Sequence, residues 1–581
     1  MGTKNKKEVL IIFKTHLDIG FTDYAANVKA RYINEFIPNA IRVGYELKDT
    51  DTPFIWTTGS WLIWEALKQD TDGKVAKAIE DGIICWHALP CTTHTELMTE
   101  KLFEYGLSLS KKMDERFNKH TIAAKMTDVP GHTMGMIPLM KKAGIEFLHI
   151  GVNPATPVPP VPPVFKWKCD DDEIPVMYQK NYGDRMELDN FVIYFAHTGD
   201  NNGPQSGEEI INLYDKAKSE YPDCDVKAAT LNDVAVRLRE IKNIPVVDKE
   251  IGDAWIHGAG TDPKKMGMYR ELLRYIEDKD ITDKDLSDNL LLIPEHTWGK
   301  NLQIHFPDME HWTAKELEEI KDTPMRLNFE KSWQEQRDYV TAAAKELEYD
   351  LKYEVKEPDL AVFQETEIDE SGIEISWQLF GQDDYTRYMK EYLRLDAANV
   401  IWASWDNLKI GLPVKNGKIF TAKTTACYKS GDKKLYKLEF DTDKAKEYEL
   451  PYFWAEKNEN KLCVSMFNKG ASRLPQAMWL KFKGFDENWE VRKMGKWINP
   501  NDIIGSPLIC AADYGVRNDK YEIKSLDAVL VAPFGRKLLC YGNVPENQDL
   551  YFNLYNNIWN TNFPMWYGDD TIYRFEIDIK K

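Results

Sequence analysis

Val9-Leu10-Ile11-Ile12-Phe13-Lys14-Thr15-His16-Leu17-Asp18-Ile19-Gly20-Phe21 is the stretch on which the fold reading turns. A run of β-favouring apolar residues passes directly into His-x-Asp. In a strand, residues i and i+2 point to one side, so the His16 imidazole and the Asp18 carboxylate converge at the strand's carboxyl end. Nitrogen and oxygen donors placed this way suit one divalent metal, and Zn²⁺ is the usual ion for such a pair.

Outward from this strand the first half alternates between two periodicities. Strands are expected at 8–14, 53–57, 82–87, 121–127, 146–151, 190–197 and 226–230, with helices at 24–48, 60–80, 100–118, 133–143 and 207–219. Such alternation predicts an α/β barrel or a doubly wound sheet. No Gly-x-Gly-x-x-Gly follows the first strand, which disfavours a dinucleotide fold, and seven strands fit a closed or nearly closed barrel. The Pro-rich segment 154–163 reads as a stiff loop after the fifth strand. Asp262-Pro263 is an N-cap followed by proline at the first helical position, and 262–350 is helical in pattern. From about 355 short alternating segments prevail, as in a β-sandwich. The expected domains are therefore a (β/α)7 catalytic barrel over 1–260, a helical bundle over 261–350 and a β-sandwich-like domain over 351–581.

Composition narrows the function. The 581 residues carry a net charge of −19, which argues against nucleic acid and anionic membranes as partners. Residues 1–7 contain no apolar signal region, and no run reaches the length of a membrane span. The eight cysteines are scattered without a Cys-x-x-Cys, as expected of reduced thiols in a cytoplasm. With 18 Trp and 28 Tyr, the chain has the aromatics to stack on sugars, or to fill core and interfaces; Trp377 and the pair Trp402 and Trp405 are read in both ways. The sequence leaves the oligomeric state open.

All eleven histidines lie between His16 and His311, so imidazole chemistry belongs to the first half. In α/β barrels the active site lies at the carboxyl ends of the strands. Here those ends carry His16 and Asp18; His87, with His94 and Glu96 beyond it; Asp128 with His132; Asn153; and His197 with Asp200 and Asn201. A metal or acid–base site is expected there. His149 reads as a buried structural residue.

These motifs resemble glycoside hydrolase family 38, the α-mannosidases and their shorter bacterial relatives. The family's His-x-Asp-x-Gly-Trp reads here His16-Leu17-Asp18-Ile19-Gly20-Phe21. Its Asp-x-x-Gly-His-(Ser/Thr), followed by a helix and a basic-Ala-Gly-Ile, reads Asp128-Val129-Pro130-Gly131-His132-Thr133 and then Lys142-Ala143-Gly144-Ile145. The resemblance implies a barrel, a helical bundle and β-sandwich domains. It implies zinc held by His16, Asp18 and Asp128, with Asp128 also the nucleophile. The family's fourth ligand is a histidine beyond the barrel strands. His296 is the best-placed candidate and His257 the second, although the family's His-His-Asp pattern is absent. The family's acid stands in Gly-Asp-Asp, and here Gly199-Asp200-Asn201-Asn202 occupies that place. Asp200 is the expected acid, with Glu96 and His197 as alternatives. His87, His132, His197, Asn201 and Trp298 are expected to contact a carbohydrate substrate.

The leading expectation is a zinc-dependent retaining glycoside hydrolase acting on α-mannosides or a related sugar. The altered Gly-Asp-Asn-Asn keeps a metal-dependent lyase or deacetylase in view, and a non-catalytic carbohydrate-binding protein as a further class.

Overall fold

The computed structural model describes residues 7–156, 158–369, 371–389, 409–482, 488–505, 509–533, 535–536, 538–539 and 549–580. Residues 1–6, Trp402, Trp405 and Cys540, used in the sequence reading, lie outside them. The described chain forms two compact units. One comprises residues 1–94, 100–130 and 134–249, and the other 95–99, 131–133 and 250–581.

In the first unit the strands are β1 (Glu8–Thr15), β2 (Trp56–Gly59), β3 (Ile84–His87), β4 (Ala123–Asp128), β5 (Phe147–Val152), β6 (Val164–Cys169), β7 (Asp172–Gln179), β8 (Met186–Glu187), β9 (Phe191–Thr198), β10 (Asp225–Ala228) and β11 (Val246–Val247). They form two sheets, ordered β3-β2-β1-β9-β8, with β10 also on β1, and β11-β6-β7-β5-β4. The pairs β1–β2, β2–β3, β1–β9, β1–β10, β4–β5 and β5–β7 are all parallel, and helices such as Ile37–Leu47 and Glu100–Phe117 connect them. Between the sheets, the Ala88 amide donates to the Ala123 carbonyl at 2.9 Å.

The α/β reading thus holds, with a difference at the fifth strand. An antiparallel hairpin, β6–β7, follows the Pro-rich loop, and its second strand lies parallel to β5. Pro175 within β7 argues against a strand in sequence, and Asp170-Asp171-Asp172 looks like loop.

Period-2 alternation explains how the interior is layered. Leu10 and Ile12 of β1 share one core with Phe147 of β5, Met177 of β7, and Ile193 and Phe195 of β9, so both sheets face it. One step further along the same faces stand Lys14, Lys125, His149 and Gln179, all buried. One step further still come His16 and Thr127, while His197 stands in register with Lys14. The interior thus passes from apolar to basic before it reaches the strand ends.

The second unit holds helices, among them Pro263–Asp278 and Pro324–Glu346, and two mostly antiparallel sheets of ten and six strands. Phe552 of one sheet meets Phe575 of the other, their rings 5.0 Å apart. No described helix is long and apolar enough to cross a membrane.

Candidate metal centre

β1 and β4 deliver the donors. His16 and Asp18 leave the end of β1, and Asp128 is the last residue of β4. All three are buried, and each offers a ligand atom within 4.8 Å of the others. His16 Nε2 lies 3.2 Å from Asp18 Oδ1. Two donors held 2.0–2.1 Å from one tetrahedral ion stand about 3.3 Å apart, so this edge fits a Zn²⁺-sized ion. The donor set of one imidazole and two carboxylates suits the same class of ion.

The local backbone is built to present these groups. Gly20 has φ +132°, a conformation that L side chains rarely adopt, and Phe21 follows at φ +61°. Together they turn the chain sharply after Asp18. Asp128 itself sits at φ +77°, an uncommon position for a non-glycine residue that recurs at functional sites. Asn153 holds it there: the Asn153 amide donates to the Asp128 carbonyl at 3.0 Å, and Asn153 Nδ2 donates to Asp128 Oδ1 at 2.8 Å.

Tyr182 joins the two carboxylates that the sequence nominated for chemistry. Its hydroxyl donates to Asp200 Oδ1 at 3.3 Å and accepts at 3.3 Å from Asn153 Nδ2, the group that also donates to Asp128 Oδ1. Its ring stacks on His16 with centroids 4.9 Å apart. Burial, then the charges of Asp128, Asp200 and Asp18, hold the phenol well above its ordinary pKa, so it stays protonated as a donor. Burial also pushes the Asp200 carboxyl up, to about 6, helped by the nearby charges of Asp18 and Asp128 and opposed by His16 and the Tyr182 hydrogen bond. His197 moves the other way, down to about 4, through burial and then the charges of Lys14, His16 and Lys125. It is neutral near pH 7 and cannot serve as the proton donor there.

Asn201, expected at the substrate, turns its amide to protein backbone instead. It accepts from the Asp18 amide and donates to the carbonyls of Asp18 and Gly20, each at 3.1 Å. His87 is buried at the end of β3, and burial followed by the charges of Lys125 and Lys14 keeps its pKa well below the ordinary value. His149 is buried, with Nε2 3.0 Å from Gln179 Oε1, as a structural residue should be.

The other nominated residues belong to the second unit. Glu96 is overturned as an acid. Its carboxylate takes Lys493 Nζ at 3.0 Å and the amides of Asp253 and Ala511, and Lys493 also reaches Glu250 at 3.1 Å. All three side chains are fully buried, which makes them a structural ion cluster. His132 Nδ1 lies 3.4 Å from Thr95 Oγ1, and its amide donates to the Ile251 carbonyl. Trp298 is 1% exposed, with Lys265 Nζ 3.7 Å above its ring. His296 Nδ1 lies 2.7 Å from Glu295 Oε1. The His257 ring packs edge-on against Trp559.

Sequence reasoning passed over Tyr182, Thr127, Lys14 and Lys125. The two lysines read as ordinary strand positions, and Tyr182 lies in a connection with no periodicity. Asn181 and Tyr182 both have positive φ, and the Asn-Tyr-Gly sequence was the available signal.

The whole chain matches known structures closely enough to define its fold. An α-mannosidase from Enterococcus faecalis V583 superposes with a TM-score of 0.59 at 9% identity, over 99% of this chain and 87% of that one. A protein in glycosyl hydrolase family 38 from Enterococcus faecalis superposes with a TM-score of 0.57 at 9% identity, over 100% of this chain and 86% of that one. A family described as a domain of unknown function, DUF5054, matches residues 259–373. No curated protein matches the sequence.

Proposed function

We propose that this chain is a zinc-dependent glycoside hydrolase, a retaining enzyme of α-mannosidase type acting on oligosaccharides. One observation carries the reading: His16, Asp18 and Asp128 present buried donors within 4.8 Å of one another, at carboxyl ends of parallel strands in a chain with the fold of an α-mannosidase. The two sheets of the first unit are read as halves of one seven-stranded barrel. The fourth ligand is assigned to His296. A histidine whose Nδ1 is taken by a carboxylate, as Glu295 takes that of His296, ligates through Nε2.

The chemistry follows from the carboxyl groups. Asp128 attacks the anomeric carbon, the glycosidic C–O bond breaks, and Asp200 gives its proton to the departing oxygen. Asp200, now a carboxylate, takes a proton from water as the glycosyl–Asp128 ester is hydrolysed. Retention needs carboxyl groups about 5–5.5 Å apart; Asn153 and Tyr182 link Asp128 to Asp200 through a short run of hydrogen bonds, which supports their pairing. When bound, a divalent ion supplies Lewis acidity toward vicinal sugar hydroxyls. His87 and His197, as neutral imidazoles, are assigned to hydrogen bonds with the sugar.

The test is metal analysis of purified protein beside turnover of aryl α-mannosides and a panel of other aryl glycosides. About one equivalent of zinc and hydrolysis with retained anomeric configuration are expected. Unsaturated products or released acetate, in place of hydrolysis, would replace this reading with a lyase or a deacetylase.

A further inference from the structure

The resemblance puts the acid in a Gly-Asp-Asp, and the second of its two acidic positions is an amide here, Asn201. The contacts of that amide say what it does. Asn201 Oδ1 accepts from the Asp18 amide at 3.1 Å. Its Nδ2 shares two hydrogens among the Asp18 carbonyl, the Gly20 carbonyl and Thr22 Oγ1, each at 3.1 Å. Its backbone amide donates to the His16 carbonyl at 3.2 Å, which also accepts from Tyr32 Oη at 3.3 Å. An oxygen facing an N–H and a nitrogen facing carbonyls leave one orientation for the side chain. Asn201 is 4% exposed and has φ +51°, in the left-handed region that asparagine tolerates.

Asn201 therefore grips both backbone groups of Asp18, as a neighbouring strand would, just after β1 has ended. A carboxylate could not replace it. It has no hydrogen to give, and would face the Asp18 and Gly20 carbonyls with like partial charge.

We infer that Asn201 is a positioning residue that fixes the 16–22 turn and so aims His16 and Asp18 at one ion, and that it is not a proton donor lost by substitution. This inference rests on the proposed metal-dependent reading.

The experiment compares wild type, N201A and N201D, each stripped of metal and then titrated with Zn²⁺ against a chelator. Amide hydrogen exchange is followed over residues 16–22 in the metal-free proteins, and aryl glycoside turnover is measured in the reloaded ones. Both variants should bind Zn²⁺ about 10–100-fold more weakly, the usual cost of losing a partner that orients a ligand. Exchange should rise over 16–22 while β5 and β7 keep their protection, and N201D should show no gain in turnover. N201D is close in shape to the wild type, so it reports even if N201A fails to fold. Wild-type affinity in both variants, unchanged exchange over 16–22, or higher turnover in N201D would each overturn the inference. If wild type binds no Zn²⁺, the proposed function fails, and the exchange measurement still decides whether Asn201 fixes the turn.

Discussion

His16 Nδ1 lies 2.9 Å from Thr127 Oγ1, the residue before Asp128. Lys125 Nζ donates to the same oxygen at 3.2 Å. In the proposed site His16 would ligate through Nε2, so that Nδ1–H donates to Oγ1, which then accepts from both partners. Thr127→Val keeps the shape and removes the acceptor. Zn²⁺ affinity should fall about 10–100-fold, while Thr127→Ser should stay near wild type. Chelator competition measures both.

Asp18→Ala removes a charged donor and should abolish stoichiometric metal binding. Asp128→Asn should lose turnover by orders of magnitude because an amide is a poor nucleophile. Metal analysis and single-turnover kinetics check the pair. Full metal occupancy in Asp18→Ala would exclude it as a ligand.

Asp200 must be protonated to act as the acid, and its carboxyl is pushed up to about 6. It is charged above that pH, so activity should fall as pH rises through about 6. Asp200→Asn should remove that basic limb. It should slow substrates with poor leaving groups by about 10²–10⁴-fold and leave activated aryl glycosides much less affected. Equal slowing of both substrate types would rule Asp200 out.

Lys493 is the cation between Glu96 and Glu250, with side chains 0–1% exposed. Lys493→Met strands two buried carboxylates and should cost about 3–5 kcal/mol of stability, the usual penalty for breaking a buried pair. Urea unfolding measures it. A loss under about 1 kcal/mol, the scale of an exposed pair, would mean that water reaches the cluster.

The parts of the site that could be read in sequence are those whose geometry is local. His16 and Asp18 share a strand end, where period-2 alternation pairs them, and Asp128 closes another strand inside a motif whose resemblance gave it its role. Glu96 misled because it follows His94 closely, whereas its partner Lys493 is remote in the chain. Asn201 was read by what an amide cannot donate to a leaving group, and its bonds to Asp18 depend on folding. Thr127 and Lys125 fit a plain strand, and only the layering of the interior gives them a role. The β6–β7 hairpin was hidden by Pro175, whose ring suits a sheet edge better than an interior strand.

Gly131 stands in the second unit, where a Cβ on it would lie 2.0 Å from the Gly252 carbonyl oxygen and 2.5 Å from the Asp253 nitrogen. Two backbones touch there, and no side chain fits between them. The glycine of Asp-Val-Pro-Gly-His-Thr is therefore kept by folding, whether or not the protein turns over a sugar. A relative that had lost Asp128 or Asp18 would still need it. Searches keyed on that glycine will gather proteins of this shape, working and inert alike; the two aspartates are what sort them.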